Sequence, residues 1–116
     1  MKVLIIRFSS IGDIVLTTPV IRALKSQLGA EVHYATKQSY ASLLEANPYI
    51  SHLHLLDGSL QDLIVELRKE NFDYIIDLHN NLRTSMIKLA LRSTKYSFKK
   101  LNFRKWLLVH FRLNLL

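Results

Sequence analysis

Lys2-Val3-Leu4-Ile5-Ile6-Arg7-Phe8 runs straight into Ser9-Ser10-Ile11-Gly12-Asp13, and then into a segment whose apolar residues recur at helical spacing as far as Leu28. The first seven residues form a short apolar run rich in branched side chains, which reads as a buried strand. The segment after the polar turn repeats Ile14, Thr18, Ile21, Leu24 or Lys25, and Leu28 on one side, which reads as a helix. Gly29 is placed to stop it. Pro19 allows two versions: the helix starts at Gly12 and bends, or Thr18 caps a later start with Pro19 in the first helical position. Strand, polar turn, helix is the opening unit of an α/β fold.

The same alternation continues outward. Residues 31–36, 50–56, 72–78 and, more weakly, 94–98 read as strands. Helices are expected at about 38–46, ended by Asn47-Pro48, and at 60–70, with Ser59 as N-cap and Asp62 as its partner. Another is expected at 82–92, with Leu82, Met86 and Leu89 or Ala90 facing in. Residues 101–116 read as a basic amphipathic helix. Five strands alternating with helices predict an α/β, Rossmann-like, mainly parallel sheet, and right-handed crossovers place helices on both of its faces.

Size and composition agree. The chain has 116 residues, 49% of them hydrophobic and 22% charged, with three glycines and two prolines, which is a globular composition sufficient for one domain. It has no cysteine, which excludes disulfides and thiolate-ligated metal sites. No apolar run approaches the ~20 residues of a membrane-spanning helix, and Arg7 interrupts the apolar start that a signal peptide would need. Charge is unevenly placed: residues 1–80 hold seven Lys/Arg against nine Asp/Glu, whereas residues 81–116 hold nine Lys/Arg and no acid. The last third therefore carries the whole positive excess, which suggests an anionic partner. The chain stops inside its last expected helix, on a run ending Leu113-Asn114-Leu115-Leu116. We read that as a fragment of a longer protein, a natural early stop being the alternative.

In an open parallel sheet, ligands bind outside the carboxyl ends of the strands where the strand order reverses. With the order 3-2-1-4-5 that crevice lies between the first and fourth strands. It would collect Ser9, Ser10, Gly12 and Asp13 from one side, and His79, Asn80, Asn81 and Arg83 from the other. No glycine-rich dinucleotide fingerprint or P-loop is present; Gly12 is expected to let the backbone turn tightly before the helix. Asp13, in the first helical turn, is stabilised as an anion by the helix terminus and would repel a phosphate there. The loop thus looks like the seat of a base for a hydroxyl acceptor, against the plainer reading of a helix-terminus acid with Ser9 or Ser10 as cap. Asn81 and Arg83 are either ordinary capping and surface residues, or a hydroxyl contact and an anion grip. Arg7, a cation in an apolar strand, requires either a salt bridge to Asp77 or Asp13 or an anion site.

His52 and His54 share one face of a strand, a spacing that can bind metal, but the sequence places no third ligand, so they read as a partly exposed sheet edge. Asp73 and Asp77 read as strand-end and pairing residues. The tail from Lys99 to Leu108 mixes bases with Phe103 and Trp106. Its apolar stripe reads as packing against the sheet, with a basic rim left for an anionic membrane surface or other phosphates.

The run from Val3 to Pro19, with its strand, Ser-Ser-x-Gly-Asp and a helix carrying Pro19, resembles the opening of family 9 glycosyltransferases, the heptosyltransferases of lipopolysaccharide core assembly. Asp77-Leu78-His79-Asn80-Asn81-Leu82-Arg83-Thr84-Ser85 resembles a second segment of that family. The resemblance implies the N-terminal, acceptor-binding half of a two-domain GT-B enzyme, residues 1–116 being an incomplete first domain without the donor-binding one. It implies inverting transfer from a nucleotide-sugar, typically ADP-heptose, to a phosphorylated glycolipid, with no cofactor, no metal and no nucleic-acid partner. Asp13 falls on the family's general base. Ser10 lies where family members touch donor or acceptor, with Ser9 and Gly12 expected beside it as substrate-binding residues; Arg7 and Arg83 fall where basic residues face the phosphorylated acceptor, and Asn81 is expected to orient a hydroxyl. A cytoplasmic location, peripheral at the inner face of the inner membrane, goes with it. Two other classes remain open: a non-catalytic sugar- or nucleotide-binding module, and a flavodoxin-like or response-regulator-like domain. The second lacks the acidic cluster and lysine of a phosphoacceptor site.

Overall fold

The computed structural model describes residues 1–79 and 81–91, and the backbone of 96–98. The expected basic helix at 101–116 lies outside the described residues.

Five parallel strands form one sheet: β1 (Lys2–Ile6), β2 (Glu31–Lys37), β3 (His52–Leu56), β4 (Tyr74–Asp77) and β5 (Tyr96–Phe98), in the order β3-β2-β1-β4-β5. This is the order expected from the sequence, with its reversal between β1 and β4. In register, Leu4 lies beside His33 and Ile75, and Ile6 beside Ala35 and Asp77. Because side chains alternate along a strand, β1 divides its residues between two cores. Val3 and Ile5 pack with Ile14, Val20, Ile21 and Leu24 of the two helices that follow β1, α1 (Ile11–Leu16) and α2 (Thr18–Leu28). Leu4 and Ile6 pack with Leu63 and Leu67 of α4 (Leu60–Arg68) and Ile87 of α5 (Leu82–Leu91) on the other side. Helices therefore cover both faces, which is why β1 is a near-continuous apolar run and β2 is buried from Val32 to Thr36. The link between β2 and β3 carries a 3-10 turn (Gln38–Tyr40) and the one-turn α3 (Ala41–Leu44).

Pro19 acts by a third route. The helical segment breaks at Thr17, one residue before the expected cap, and Pro19 sits in the first turn of α2. Thr17 is buried; its hydroxyl donates to the Ile14 carbonyl at 2.5 Å and lies 3.0 Å from the Tyr34 hydroxyl. That carbonyl lies near the break, where helix ends leave carbonyls to be satisfied by other partners, and the side chain that satisfies it anchors the junction to β2. Gly29 ends α2 at φ 61, as expected, in the left-handed region glycine adopts without cost. Ser59 caps α4 by accepting from the Asp62 N–H at 3.2 Å.

The expected inner face of α5 is wrong. Leu82, Met86 and Leu89 are 78%, 48% and 79% exposed, and Thr84 and Ile87 are the buried positions. This helix carries apolar residues on almost every side, so hydrophobicity alone does not set its phase.

Candidate active site

β1 ends at Ile6, and its backbone ladder continues one residue further: Arg7 N–H donates to the Ala35 carbonyl and Leu78 N–H to the Ile6 carbonyl. Arg7 is thereby fixed at the C-terminal edge of the sheet, 9% exposed, with its guanidinium at the β1/β4 reversal. One nitrogen donates to the Leu78 carbonyl at 2.6 Å and another to Asp13 Oδ2, also at 2.6 Å. Of the two explanations open for Arg7, the structure contains the ion pair with Asp13. Both terminal nitrogens are thus engaged by the protein's own groups.

Asp13 lies in the first turn of α1. Its Oδ2 also accepts from the Ser10 hydroxyl at 3.0 Å, and its side chain is 47% exposed. Ser10 occupies the N-cap position, yet its side chain makes no cap bond to the backbone; the hydroxyl serves Asp13. The carboxylate is thus held by a cation and a hydroxyl while half of it faces solvent. Ser9 is half-buried, and the Ser9–Ser10 peptide bond is cis.

Gly12 requires a correction. It is the second residue of α1, has no positive φ, and a Cβ built on it would meet nothing within 4 Å. The turn is made by Ser9 and Ser10. What glycine leaves at position 12 is bare backbone surface beside Asp13.

Across the reversal, β4 delivers Asp77, His79, Asn81 and Arg83. Asp77 is 1% exposed; its Oδ1 accepts from the His79 N–H at 3.0 Å, and the Lys88 ammonium of α5 lies 3.1 Å from Oδ2. Asp77 is therefore a pairing residue, as expected, although a buried one. Asp73 sits at the opposite end of β4 and accepts from the Lys2 N–H at 2.8 Å, so the two aspartates form no dyad. The His79 ring meets Phe8 edge to face at 5.6 Å, and its Nδ1 is buried without a hydrogen bond. Burial, and then the charge of Arg7, hold this imidazole below its ordinary range, against a hydrogen bond to the Ser9 backbone.

Asn81 is chiefly a helix cap. Its Oδ1 accepts from the Thr84 N–H at 3.0 Å, and its own N–H donates to Thr84 Oγ1 at 3.0 Å, a reciprocal cap of α5. Its amide nitrogen takes no part in this cap. Arg83 is exposed and lines a cleft of about 630 Å³ with Lys37, Gln38, Ser39, Asp57 and Gly58. Asp13 is not among the residues lining it. The structure thus gathers Arg7, Ser10 and Asp13 into one cluster and places Arg83 in a separate cleft at the same edge of the sheet. Lys37, absent from the residues expected from sequence, joins Arg83 there. Its only signal was its position at the end of β2, the end at which ligands bind in such sheets.

β3 is the edge strand and His52 on it is exposed, as expected, but His54 is 4% exposed and meets His33 of β2 at 2.9 Å. Among the described residues, no helix is long and apolar enough to cross a membrane.

Comparison with known proteins bears out the resemblance in the opening motif. No family model matches the chain. It is 27% identical over 109 residues to lipopolysaccharide heptosyltransferase 1 of Campylobacter coli, covering 86% of this chain and 31% of that protein. Its fold is similar to that of a family 9 glycosyl transferase from Veillonella parvula, with a TM-score of 0.73 at 23% identity, over 83% of this chain and 31% of that one. It is similar again to ADP-heptose heptosyltransferase II of Escherichia coli, with a TM-score of 0.72 at 21% identity, over 84% and 30% of the two chains. The chain therefore spans about three-tenths of the length of these relatives.

Proposed function

We propose that this chain is the acceptor-binding part of a family 9 glycosyltransferase of the GT-B type. The enzyme would transfer a heptose from a nucleotide-sugar, ADP-heptose by preference, to a hydroxyl of a phosphorylated lipopolysaccharide core acceptor, with inversion and without a metal. Asp13 is the general base, and a donor-binding half supplies the nucleotide-sugar. The observation that carries this reading is the half-exposed Asp13 carboxylate, held by Arg7 at 2.6 Å and Ser10 at 3.0 Å beside the β1/β4 reversal.

Two contacts to one oxygen fix the carboxylate's direction. A carboxylate is a weak base for a hydroxyl, so the acceptor proton moves late, as the new bond to the anomeric carbon forms. Arg7 is then a positioning residue for Asp13. The acceptor's anionic groups fall to Arg83 and Lys37, whose cleft opens at the same edge of the sheet as the base and is large enough for a sugar phosphate. Bare Gly12 lets the acceptor approach Asp13, and the Asn81 amide orients a hydroxyl. The cytoplasmic face of the inner membrane, where such an acceptor is presented, supplies the anionic surface that the basic last third would meet.

Titration of the folded chain tests this reading. Phosphorylated core sugars should bind, and Arg83→Ala should weaken them by about tenfold or more, as expected for loss of a charge-assisted contact. ADP-sugars should not bind to this part. Binding of the ADP-sugar alone would instead fit a non-catalytic nucleotide module.

A further inference from the structure

Away from the cleft, toward the N-terminal ends of the strands, His33 and His54 lie beneath α4 and the residues after it. They are 0% and 4% exposed. Their rings are 11° from coplanar with centroids 5.1 Å apart, and they meet nitrogen to nitrogen, His33 Nδ1 to His54 Nε2, at 2.9 Å. The outer nitrogen of each ring is engaged by a carboxylate: His33 Nε2 by Glu31 Oε2 at 2.8 Å, and His54 Nδ1 by Glu66 Oε2 at 3.0 Å. Phe72 closes the pocket edge-on to both rings, and His52 stacks on His33 at 4.8 Å.

Proton counting makes this cluster informative. An ionised carboxylate only accepts hydrogen bonds, so each outer nitrogen must carry the N–H. A neutral imidazole has one N–H. Both inner nitrogens are then lone pairs, facing each other 2.9 Å apart in a buried place, an arrangement that needs a cation between them. The alternative filler is a third proton, which would make one ring an imidazolium. The remaining donor is Glu70: one donor atom from each of His33, His54 and Glu70 lies within 4.8 Å of the others.

We propose that His33 Nδ1, His54 Nε2 and the Glu70 carboxylate bind a divalent late transition-metal ion of the zinc class, with Glu31 and Glu66 as the outer carboxylates that fix the two imidazole tautomers. Two imidazoles and a carboxylate form a donor set these ions prefer, and a carboxylate on the far nitrogen is the usual support of a metal-bound histidine. With metal–nitrogen bonds of ~2.05 Å, the observed spacing corresponds to an angle of roughly 90° at the ion, and a tetrahedral ion would part the nitrogens to about 3.3 Å. Because the rings meet almost end to end, the ion sits beside the line joining them, on the Glu70 side, and the rings pivot to admit it. β3 is the edge strand, so His54 can yield. Lys2, 3.1 Å from Glu70 Oε2 and 3.9 Å from Glu31 Oε2, offsets part of the remaining negative charge. The bound ion would tie β2 and β3 to the end of α4, far from the transfer chemistry.

The test is metal uptake by the untagged, chelator-stripped chain. Zn²⁺ is followed by calorimetry, and Co²⁺ by its visible absorption. One equivalent should bind and raise the melting temperature. His54→Gln should abolish uptake, and Glu66→Gln, at a largely exposed carboxylate, should weaken it by about 10–100-fold. His52→Gln should leave it unchanged. No uptake by the folded chain would show that a proton alone fills the gap and overturn the proposal. So would uptake unaffected by His54→Gln, which would place the ion elsewhere. Should His54→Gln fail to fold, unchanged affinity in both Glu66→Gln and Glu70→Gln would overturn it equally.

Discussion

Gly12 separates a structural role from a functional one at the level of a single residue. Nothing lies within 4 Å of the position a Cβ would take, and the residue is already helical. Gly12→Ala should therefore fold at least as well as the parent, with a gain of up to about 1 kcal/mol from helix propensity. If Gly12 borders the acceptor site, the methyl group stands where the acceptor approaches Asp13, so acceptor affinity should fall. A thermal melt paired with acceptor titration checks both, and a variant that loses stability while binding normally would deny Gly12 its place in the site. His79 gives a second residue-scale expectation. Its imidazole is held below its ordinary range, so the unfolded chain takes up the proton first. Its contribution to stability is present above about pH 6.5, the unperturbed histidine value, and is lost as pH falls through the depressed folded value. Melting temperatures at successive pH values should drop on acidification, and less so for His79→Gln. Parallel profiles for the two proteins would count against this.

Among the elements, the junction of α1 and α2 makes the sharpest demand. The Thr17 hydroxyl donates to the Ile14 carbonyl and receives the Tyr34 hydroxyl, and burial pushes the Tyr34 phenol up to about 12. Tyr34→Phe removes one hydrogen bond and leaves Thr17 satisfied, for a loss of about 1 kcal/mol. Thr17→Val strands the phenol in the core and should cost more, about 1–3 kcal/mol. Denaturant unfolding of the two variants checks the order, and equal losses would mean that Thr17 does not hold the joint. The junction also shows where sequence and structure part. The strands and the Gly29 and Ser59 boundaries were legible because each has a local cause: apolar runs, a left-handed cap, a side-chain cap. The exact position of the break at Thr17 was not, because the side chain that meets its hydroxyl, Tyr34, stands seventeen residues away on another strand. The phase of α5 was hidden because its apolar residues surround it.

For the whole molecule, the alternating parallel sheet was legible, whereas its strand order was assumed; the observed order agrees with it and points to the β1/β4 edge. Ser10, Asp13 and Arg7 were readable from it. The Arg7–Asp13 pairing and the Asn81 cap were only among the alternatives the residues allowed, and the meeting of His33 with His54 was not legible, since register and side-chain direction decide them. The measurement that bears most directly on the central claim is sugar transfer by Asp13→Ala, in the protein that unites these residues with a donor-binding half. Transfer from ADP-heptose should fall by roughly 10²–10⁴-fold with the fold unchanged by circular dichroism; turnover close to that of the parent would contradict Asp13 as the base.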